Sequence, residues 1–313
     1  MNCDNTTQWQ KRNPSKSALL NLYRNTLKKI IFILATTCLT NVSFGQSIPP
    51  DANNKFILGN VETLQSAILN ETRTVNICLP EGYSPDSSAT YPVIYLLDGG
   101  ADEDFIHIAG LVRYYTTPWI ARFPNSIVVG IENVNRRRDF TFTVSNLDFL
   151  SKVRFDKALF KDHGGSEKFI SFIEKELQPF IQTYYKANEE KTIIGESLGG
   201  LLASEILLKR PSLFDTYIII SPSLWWGGES LITEPSALSK NNFTGKLNIY
   251  IGASNKAEDT LMYNDAFALS QKLAKTGSRN IKVSFDYLPN ETHATISHQA
   301  AYNAFKLLYP KTK

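Results

Sequence analysis

Cysteine, methionine and histidine are scarce in this sequence, which has three, two and four of them respectively in 313 residues. Once residues 1–45 are removed, as argued below, Cys78 is the only cysteine left. A lone cysteine forms neither an internal disulfide nor a zinc cluster. Cys78 lies in an alternating apolar pattern at residues 75–80 that is typical of a strand, so we expect it in the core. Internal repeats and long glycine-serine linkers are also absent after residue 45, and nothing indicates a second domain.

The N-terminal segment has the pattern of an export signal. Two lysines at 28–29 precede an apolar run at residues 30–39, and the tripeptide at 43–45 offers small residues where a signal peptidase cleaves. The apolar run has about ten residues, against the ~20 that a membrane-spanning helix needs. We therefore predict a signal peptide over residues 1–45 with a long n-region, cleavage before Gln46, and export to the periplasm or beyond. No membrane span is expected after cleavage.

Charge is balanced in the remaining chain. The net charge of the whole sequence is +3. The leader holds six of the 33 basic residues and one of the 30 acidic residues, so the remaining 27 and 29 give a net charge of −2. This balance offers no support for a nucleic-acid partner or an anionic membrane. Residues 46–313 are long enough for one large globular domain.

The order of the predicted elements indicates an α/β fold. Short apolar runs alternate with helical patterns, which implies a mostly parallel central sheet flanked by helices. Strands are predicted at residues 61–69, 73–79, 91–97, 126–131, 191–194, 217–220, 246–251 and 281–288. Helices are predicted at 167–185, from the motif at 195–199 through Lys209, at 264–275 and at 299–308.

One motif carries a nucleophile. Gly195-Glu196-Ser197-Leu198-Gly199 follows an apolar strand and precedes an apolar helix, the context of the nucleophile elbow of an α/β-hydrolase. Small residues on either side suit that turn because the backbone passes close to its neighbours. The backbone N–H of Leu198 would begin the helix and face a developing oxyanion. A serine that caps a helix in an unrelated α/β protein is the alternative interpretation.

A serine nucleophile needs a base, and the chain after residue 45 offers four histidines. In this fold the base follows the last strand, which selects His293. His298 lies near the start of the closing helix and is expected to be a capping or surface residue. His107 and His163 precede Ser197 and are expected to be structural.

The acid of a catalytic triad is less clearly marked. It should follow the strand predicted at 246–251, where the only carboxylates are Glu258 and Asp259. We favour Glu258, with Asp259 second and Glu291 third. A Ser–His pair oriented by a neutral group such as Asn255 stays open.

The loop after the strand at 91–97 is expected to supply the second oxyanion donor. It reads Asp98-Gly99-Gly100-Ala101, in which glycines let the backbone approach a substrate. The N–H of Gly100 is the candidate donor, and a plain structural turn is the alternative.

Several of these segments together resemble the putative-esterase family of α/β-hydrolases. They are Leu96-Leu97-Asp98-Gly99, the elbow with Gly200, and Ser221-Pro222-Ser223-Leu224-Trp225-Trp226. The resemblance extends over residues 55–308 and is strongest to the branch of siderophore esterases, on the last segment and on residues 133–143. It implies a serine esterase without a metal or organic cofactor, acting on a small-molecule ester. Departures are Gly100-Ala101 after Asp-Gly and the missing clear acid, which leaves a dyad open.

The resemblance also bears on the substrate. Arg136, Arg137 and Arg138 follow a strand whose end should face the active-site crevice. We expect one or more of them, Arg136 and Arg138 first, to meet an anionic or catechol-rich substrate, although a solvated charge run is the plainer interpretation. Trp225 and Trp226 are expected to wall the pocket, with core packing equally open for one of them. A carbohydrate acetyl or feruloyl esterase, an acyltransferase, and a non-catalytic hydrolase-fold binding protein are the alternatives. The sequence leaves the oligomeric state open.

Overall fold

The computed structural model describes residues 15–38, 55–240 and 243–310. The chain divides into two compact units, Met1–Phe56 and Ile57–Lys313. The first contains helix α1, Lys16–Cys38. Among the described residues, no helix is long and apolar enough to cross a membrane. The predicted cleavage before Gln46 lies outside the described residues.

The second unit is built on one eight-stranded sheet of order β1-β2-β4-β3-β5-β6-β7-β8. The strands β1 and β2 pair antiparallel, as do β2 and β4, and every other neighbouring pair is parallel. The mostly parallel sheet predicted from the sequence is therefore confirmed. The strands are β1 Asn60–Ser66, β2 Glu71–Cys78, β3 Tyr91–Leu96, β4 Ile127–Ile131, β5 Ala187–Glu196, β6 Thr216–Ile220, β7 Leu247–Ala253 and β8 Ile281–Tyr287.

Helices cover both faces of the sheet. Helices α2 and α9 pack on one face, and α4, α5, α6 and α8 pack on the other. The helices of this unit are α2 Phe105–Thr116, α3 Arg136–Phe140, α4 Ser166–Phe172, α5 Gln178–Tyr184, α6 Leu198–Lys209, α7 Ser230–Thr233, α8 Thr260–Ala274 and α9 Ile296–Leu308.

The central strands are apolar along their whole length because both of their faces are covered. In β5, Ile193 joins the core under α6 whereas Ile194 joins the core under α9. In β6, Ile219 and Ile220 divide between the same two cores. Burial on both sides explains why these strands read as continuous apolar runs rather than as alternating patterns.

The helix predicted at 167–185 is interrupted in the structure. A π-helical turn at Ile173–Leu177 separates α4 from α5, which begins just before Pro179. Proline has no backbone N–H and cannot donate to the carbonyl four residues earlier, so the hydrogen-bond ladder has to adjust there. The apolar face still runs through the turn, with Ile173 and Leu177 fully buried.

Candidate active site

The strand β5 ends in a sharp turn at Ser197. Its backbone has φ 57° and ψ −116°, a left-handed conformation that a side chain adopts only under strain. The N–H of Ser197 donates to the carbonyl of Ile220 at 3.0 Å, which ties the turn to β6. A Cβ on Gly195 would lie 2.4 Å from the carbonyl oxygen of Gly199. Glycine at 195 is therefore required by the close approach of the two backbones.

The Ser197 hydroxyl is within hydrogen-bond reach of His293, at 3.0 Å between Oγ and Nε2. The histidine lies on the loop between β8 and α9, and this loop brings it across the ends of β6 and β7. Burial lowers the pKa of His293 below its ordinary value, which favours the neutral imidazole. A neutral imidazole at this distance can accept the hydroxyl proton.

The other ring nitrogen of His293 faces a serine. Nδ1 lies 3.0 Å from Oγ of Ser221, the first residue after β6. The carboxylate of Glu258 also reaches His293, but Oε2 accepts a hydrogen bond from its backbone N–H at 2.9 Å. Glu258 thus contacts the backbone of the histidine loop, and the atom that faces Nδ1 is a hydroxyl oxygen.

The other candidate acids have different partners. Asp259 caps α8, where its Oδ1 accepts from the N–H of Met262 at 2.9 Å. This cap explains why α8 begins one turn earlier than the sequence pattern suggested. Glu291 accepts from the hydroxyl of Thr295 at 2.7 Å. Asn255 donates its side-chain amide to the carbonyl of Pro289 at 2.6 Å.

A second carboxyl group lies on the catalytic side of the imidazole. Oε1 of Glu196 is 3.4 Å from Nε2 of His293. Burial raises the pKa of Glu196 to about 8, against the opposing influence of Arg136. Its carboxyl group therefore holds its proton to a higher pH than an ordinary glutamate.

The two predicted oxyanion donors differ in their surroundings. Leu198 begins α6, so its N–H has no partner within the helix, and the residue lines the same cavity as Ser197. The N–H of Gly100 donates to the Glu103 carboxylate at 2.7 Å. That carboxylate is held in turn by the Asn133 amide, at 2.6 Å from its other oxygen.

Ser197 and His293 line a cavity of about 890 Å³. Arg136 and Trp225, both predicted to meet substrate, line it. The guanidinium of Arg136 pairs with both oxygens of Asp98, at 2.6 and 2.8 Å. Only part of its surface therefore faces the cavity.

The structure places the other two predicted substrate residues outside the cavity wall. Arg138 donates to Glu71 and to the buried Asp139, at 2.6 and 2.7 Å, and supports the packing of β2 on α3. Trp226 is fully buried, and its indole N–H donates to the carbonyl of Phe142 at 2.9 Å. Trp226 is thus the core member of the tryptophan pair.

Sequence reasoning missed several residues that the fold brings to the site. Lys152 and Arg154 line the cavity beside Arg137, which the sequence had already marked within its run of arginines. All three cations are exposed, and no carboxylate pairs with them among the described residues. Ser221 and Ser223 flank the contact between Ser197 and His293, with Oγ of Ser223 lying 3.3 Å from that of Ser197. The Ser-Pro-Ser segment at residues 221–223 is the sequence signal that could have identified these two serines.

The remaining histidines lie away from the nucleophile. His107 and His298 stack on each other with ring centroids 3.5 Å apart, and His298 lies in the first turn of α9, 3.6 Å from Asp104. Nδ1 of His163 lies 2.7 Å from the carbonyl of Phe160. None of the three lines the cavity that contains Ser197.

Similarity to known proteins agrees with this geometry. The chain matches the family described as "Putative esterase" over residues 66–308. It is 30% identical to the ferri-bacillibactin esterase BesA of Bacillus subtilis over 257 residues, which are 78% of this chain and 88% of that protein. An IroE-like serine hydrolase from Shewanella oneidensis is 31% identical, with a TM-score of 0.72 and 80% of each chain covered. The BES protein from Bacillus cereus is 25% identical, also with a TM-score of 0.72, over 84% of this chain and 100% of that one. These similarities confirm the α/β-hydrolase fold.

Proposed function

The chain belongs to the Putative esterase family, and from this premise we propose that it is a serine esterase that hydrolyses a siderophore ester. The observation that carries the activity is the 3.0 Å contact between the Ser197 hydroxyl and Nε2 of His293 at a strained elbow. The observation that carries the substrate class is the charge and aromatic content of the cavity.

In the proposed reaction, Nε2 of His293 takes the Ser197 proton while Oγ attacks the ester carbonyl carbon. The tetrahedral intermediate collapses as His293 returns the proton to the departing alcohol oxygen. Water then attacks the acyl-serine, gives its proton to His293, and releases the acid. His293 finally returns that proton to Ser197.

The oxyanion of each tetrahedral intermediate needs donors that are already in place. The free N–H of Leu198 at the start of α6 is one. The N–H of Gly100 becomes the second if substrate displaces the Glu103 carboxylate that now accepts from it. Glu258 contributes by holding the backbone of His293.

The cavity suits an anionic substrate that carries aromatic rings. Arg137, Lys152 and Arg154 place three positive charges on its wall that no carboxylate in the described part of the chain pairs with. The carboxylates of Glu258 and Asp259 also line it, but each already accepts a hydrogen bond from a backbone N–H. Phe155, Phe160 and Trp225 add aromatic faces close to the cations. Catecholate siderophores and their ferric complexes combine negative charge with aromatic rings, so they match both features.

The names of the relatives point in the same direction. The Bacillus subtilis protein is named as an esterase of ferri-bacillibactin. A feruloylated sugar would also offer an aromatic ring to Trp225, but it would leave the three cations without a partner. Charge therefore separates the two substrate classes.

The test is a substrate panel on the purified protein. Ferric catecholate lactones should be cleaved with a higher kcat/KM than acetylated or feruloylated sugars. Replacing Arg137, Lys152 and Arg154 together by Gln should lower kcat/KM for the ferric lactone by about tenfold, because exposed charges contribute about 0.5 kcal/mol each, or about 1.5 kcal/mol together. The same change should leave p-nitrophenyl acetate hydrolysis within about twofold, since that ester is neutral. Arg279→Gln, at an exposed site away from this cavity, is the matched control.

Preference for a neutral sugar ester, with no effect of the triple change on any substrate, would exclude the siderophore assignment. Transfer of the acyl group to an added alcohol in place of water would indicate an acyltransferase.

We also propose that the protein acts after export, on the strength of the leader at residues 1–45. Mass spectrometry of the protein from its native host should find an N-terminus at Gln46. An exported fraction that retains Met1 would contradict this.

A further inference from the structure

His293 has to carry its proton on Nδ1 in order to act as the base. Only then does Nε2 present a lone pair to the Ser197 hydroxyl. A group that accepts from Nδ1–H favours this tautomer, and a hydroxyl can accept there as well as donate. In this structure that group is the hydroxyl of Ser221, at 3.0 Å.

We propose that Ser221 is the positioning residue of the catalytic histidine, and that its hydroxyl oxygen takes the place usually held by a carboxylate. This inference rests on the proposed esterase mechanism. The nearby carboxylates are otherwise placed. Glu258 accepts from the backbone N–H of His293, Asp259 caps α8, and Glu196 lies on the Nε2 side of the ring.

The backbone holds Ser221 firmly in place. Its N–H donates to the carbonyl of Gly252 at 2.8 Å, which joins the end of β6 to the end of β7. Its φ of 38° lies in the left-handed region, where a serine stays only if its surroundings fix it. Pro222 follows and stiffens the chain further. The side chain is therefore aimed at Nδ1 by elements that do not depend on substrate.

The burial of Ser221 strengthens its contact with His293, because water does not compete for it. Ser221 is only 1% exposed and does not line the cavity, so bulk water cannot easily replace its hydroxyl. When His293 becomes a cation during the reaction, the N–H of Nδ1 donates to Ser221 Oγ as a charge-assisted bond. Such bonds to charged groups are worth enough to change a rate about ten- to a hundredfold.

The experiment compares Ser221→Ala and Ser221→Gly with the wild type, using p-nitrophenyl acetate and the purified full chain. Both variants lack the hydroxyl, but glycine accepts the left-handed backbone without strain. We expect kcat to fall about ten- to a hundredfold in both, with KM within about twofold because Ser221 does not reach the cavity. Ser204→Ala removes another fully buried serine hydroxyl, from the middle of α6, and is the matched control.

A spectroscopic measurement tests the orienting role directly. The ¹⁵N signals of histidine side chains distinguish the Nδ1–H from the Nε2–H tautomer. We expect the wild type to hold His293 as Nδ1–H and both variants to shift it toward Nε2–H. This readout does not depend on turnover.

Three results would overturn the inference. They are a folded Ser221→Ala protein with kcat within threefold of wild type, activity lost in Ser221→Ala but restored in Ser221→Gly, and an unchanged tautomer in both variants. A wild type without esterase activity would instead refute the proposed function, and the tautomer measurement would still decide the role of Ser221.

Discussion

Replacing Glu258 distinguishes an acid that orients the imidazole from a carboxylate that holds a loop. In the structure Oε2 of Glu258 accepts one hydrogen bond from the backbone N–H of His293, at 2.9 Å, and the side chain is exposed. Glu258→Gln keeps an acceptor oxygen at this place. Loss of one such bond costs about 1 kcal/mol, or about fivefold in rate if it acts wholly on the transition state. We therefore expect kcat to fall less than about fivefold in Glu258→Gln and by about that factor in Glu258→Ala.

A triad acid would behave very differently, because its amide replacement lowers kcat by about 10⁴. Steady-state hydrolysis of p-nitrophenyl acetate separates the two cases without ambiguity. Glu291→Gln is the matched control, since this carboxylate lies in the same loop as His293 but bonds Thr295. A fall in kcat of a thousandfold or more in Glu258→Gln, at unchanged KM, would refute the loop-holding role and the positioning role of Ser221 together.

Three further outcomes follow from the same geometry. Ser197→Ala should abolish nearly all activity while leaving thermal unfolding unchanged, and adding His293→Ala should cost little more because the pair acts as a unit; retained turnover would contradict the assignment. On the acidic side of the pH–rate profile, kcat/KM should fall to half at a pH below 6.5, because burial lowers the pKa of His293 and keeps the base neutral to lower pH. Measuring kcat/KM as a function of pH checks this. The pKa of Glu196 is about 8 in the folded protein, against an ordinary value of 4.5 in the unfolded chain. The folded state therefore binds more protons between these pH values, and the free energy of unfolding should fall as pH rises through them. Urea unfolding at both ends of that range should show the fall in the wild type and less of it in Glu196→Gln.

The fold was predictable because its signals are local. Each buried parallel strand appears as a short apolar run, and the hairpin of β1 and β2 is marked by Asn70, whose φ of 56° suits a turn residue. The short helix α3 gave no periodic signal, because five residues make little more than one turn. The π-helical turn before Pro179 depends on how the whole helix packs, so only the structure revealed it.

The contact between Ser197 and His293 was predictable for a related reason. Ser197 is marked by its strand–turn–helix context and His293 by its place after the last strand, and neither requires knowledge of side-chain contacts. The side chain that contacts Nδ1 of His293 depends on how neighbouring strands bring distant residues together. Ser221 and His293 are 72 positions apart, and a hydroxyl in place of an acid carries no charge that a search of the sequence would notice.

The three consecutive arginines show the same limit on a smaller scale. Successive residues of a helix point about 100° apart, so neighbours in α3 face different surroundings. Arg136 pairs with Asp98, Arg137 faces the cavity with its guanidinium over the ring of Phe160, and Arg138 turns toward β2. A charge run in the sequence cannot say which member takes which role.

This division predicts opposite effects for two adjacent substitutions. Arg138→Gln removes the bonds to Glu71 and to Asp139, which is 1% exposed, although Arg73 still pairs with Asp139. Because Arg138 is partly exposed, we expect a loss of about 1–2 kcal/mol in unfolding free energy rather than the larger cost of breaking a fully buried pair, with kcat preserved. Arg137→Gln should leave stability within about 0.5 kcal/mol, since its guanidinium is exposed, but should raise KM for an anionic ester. Urea unfolding and steady-state kinetics on both proteins measure the two effects. A stable Arg138→Gln protein with a raised KM, beside an Arg137→Gln protein unchanged in both, would mean that the two side chains have been assigned the wrong way round.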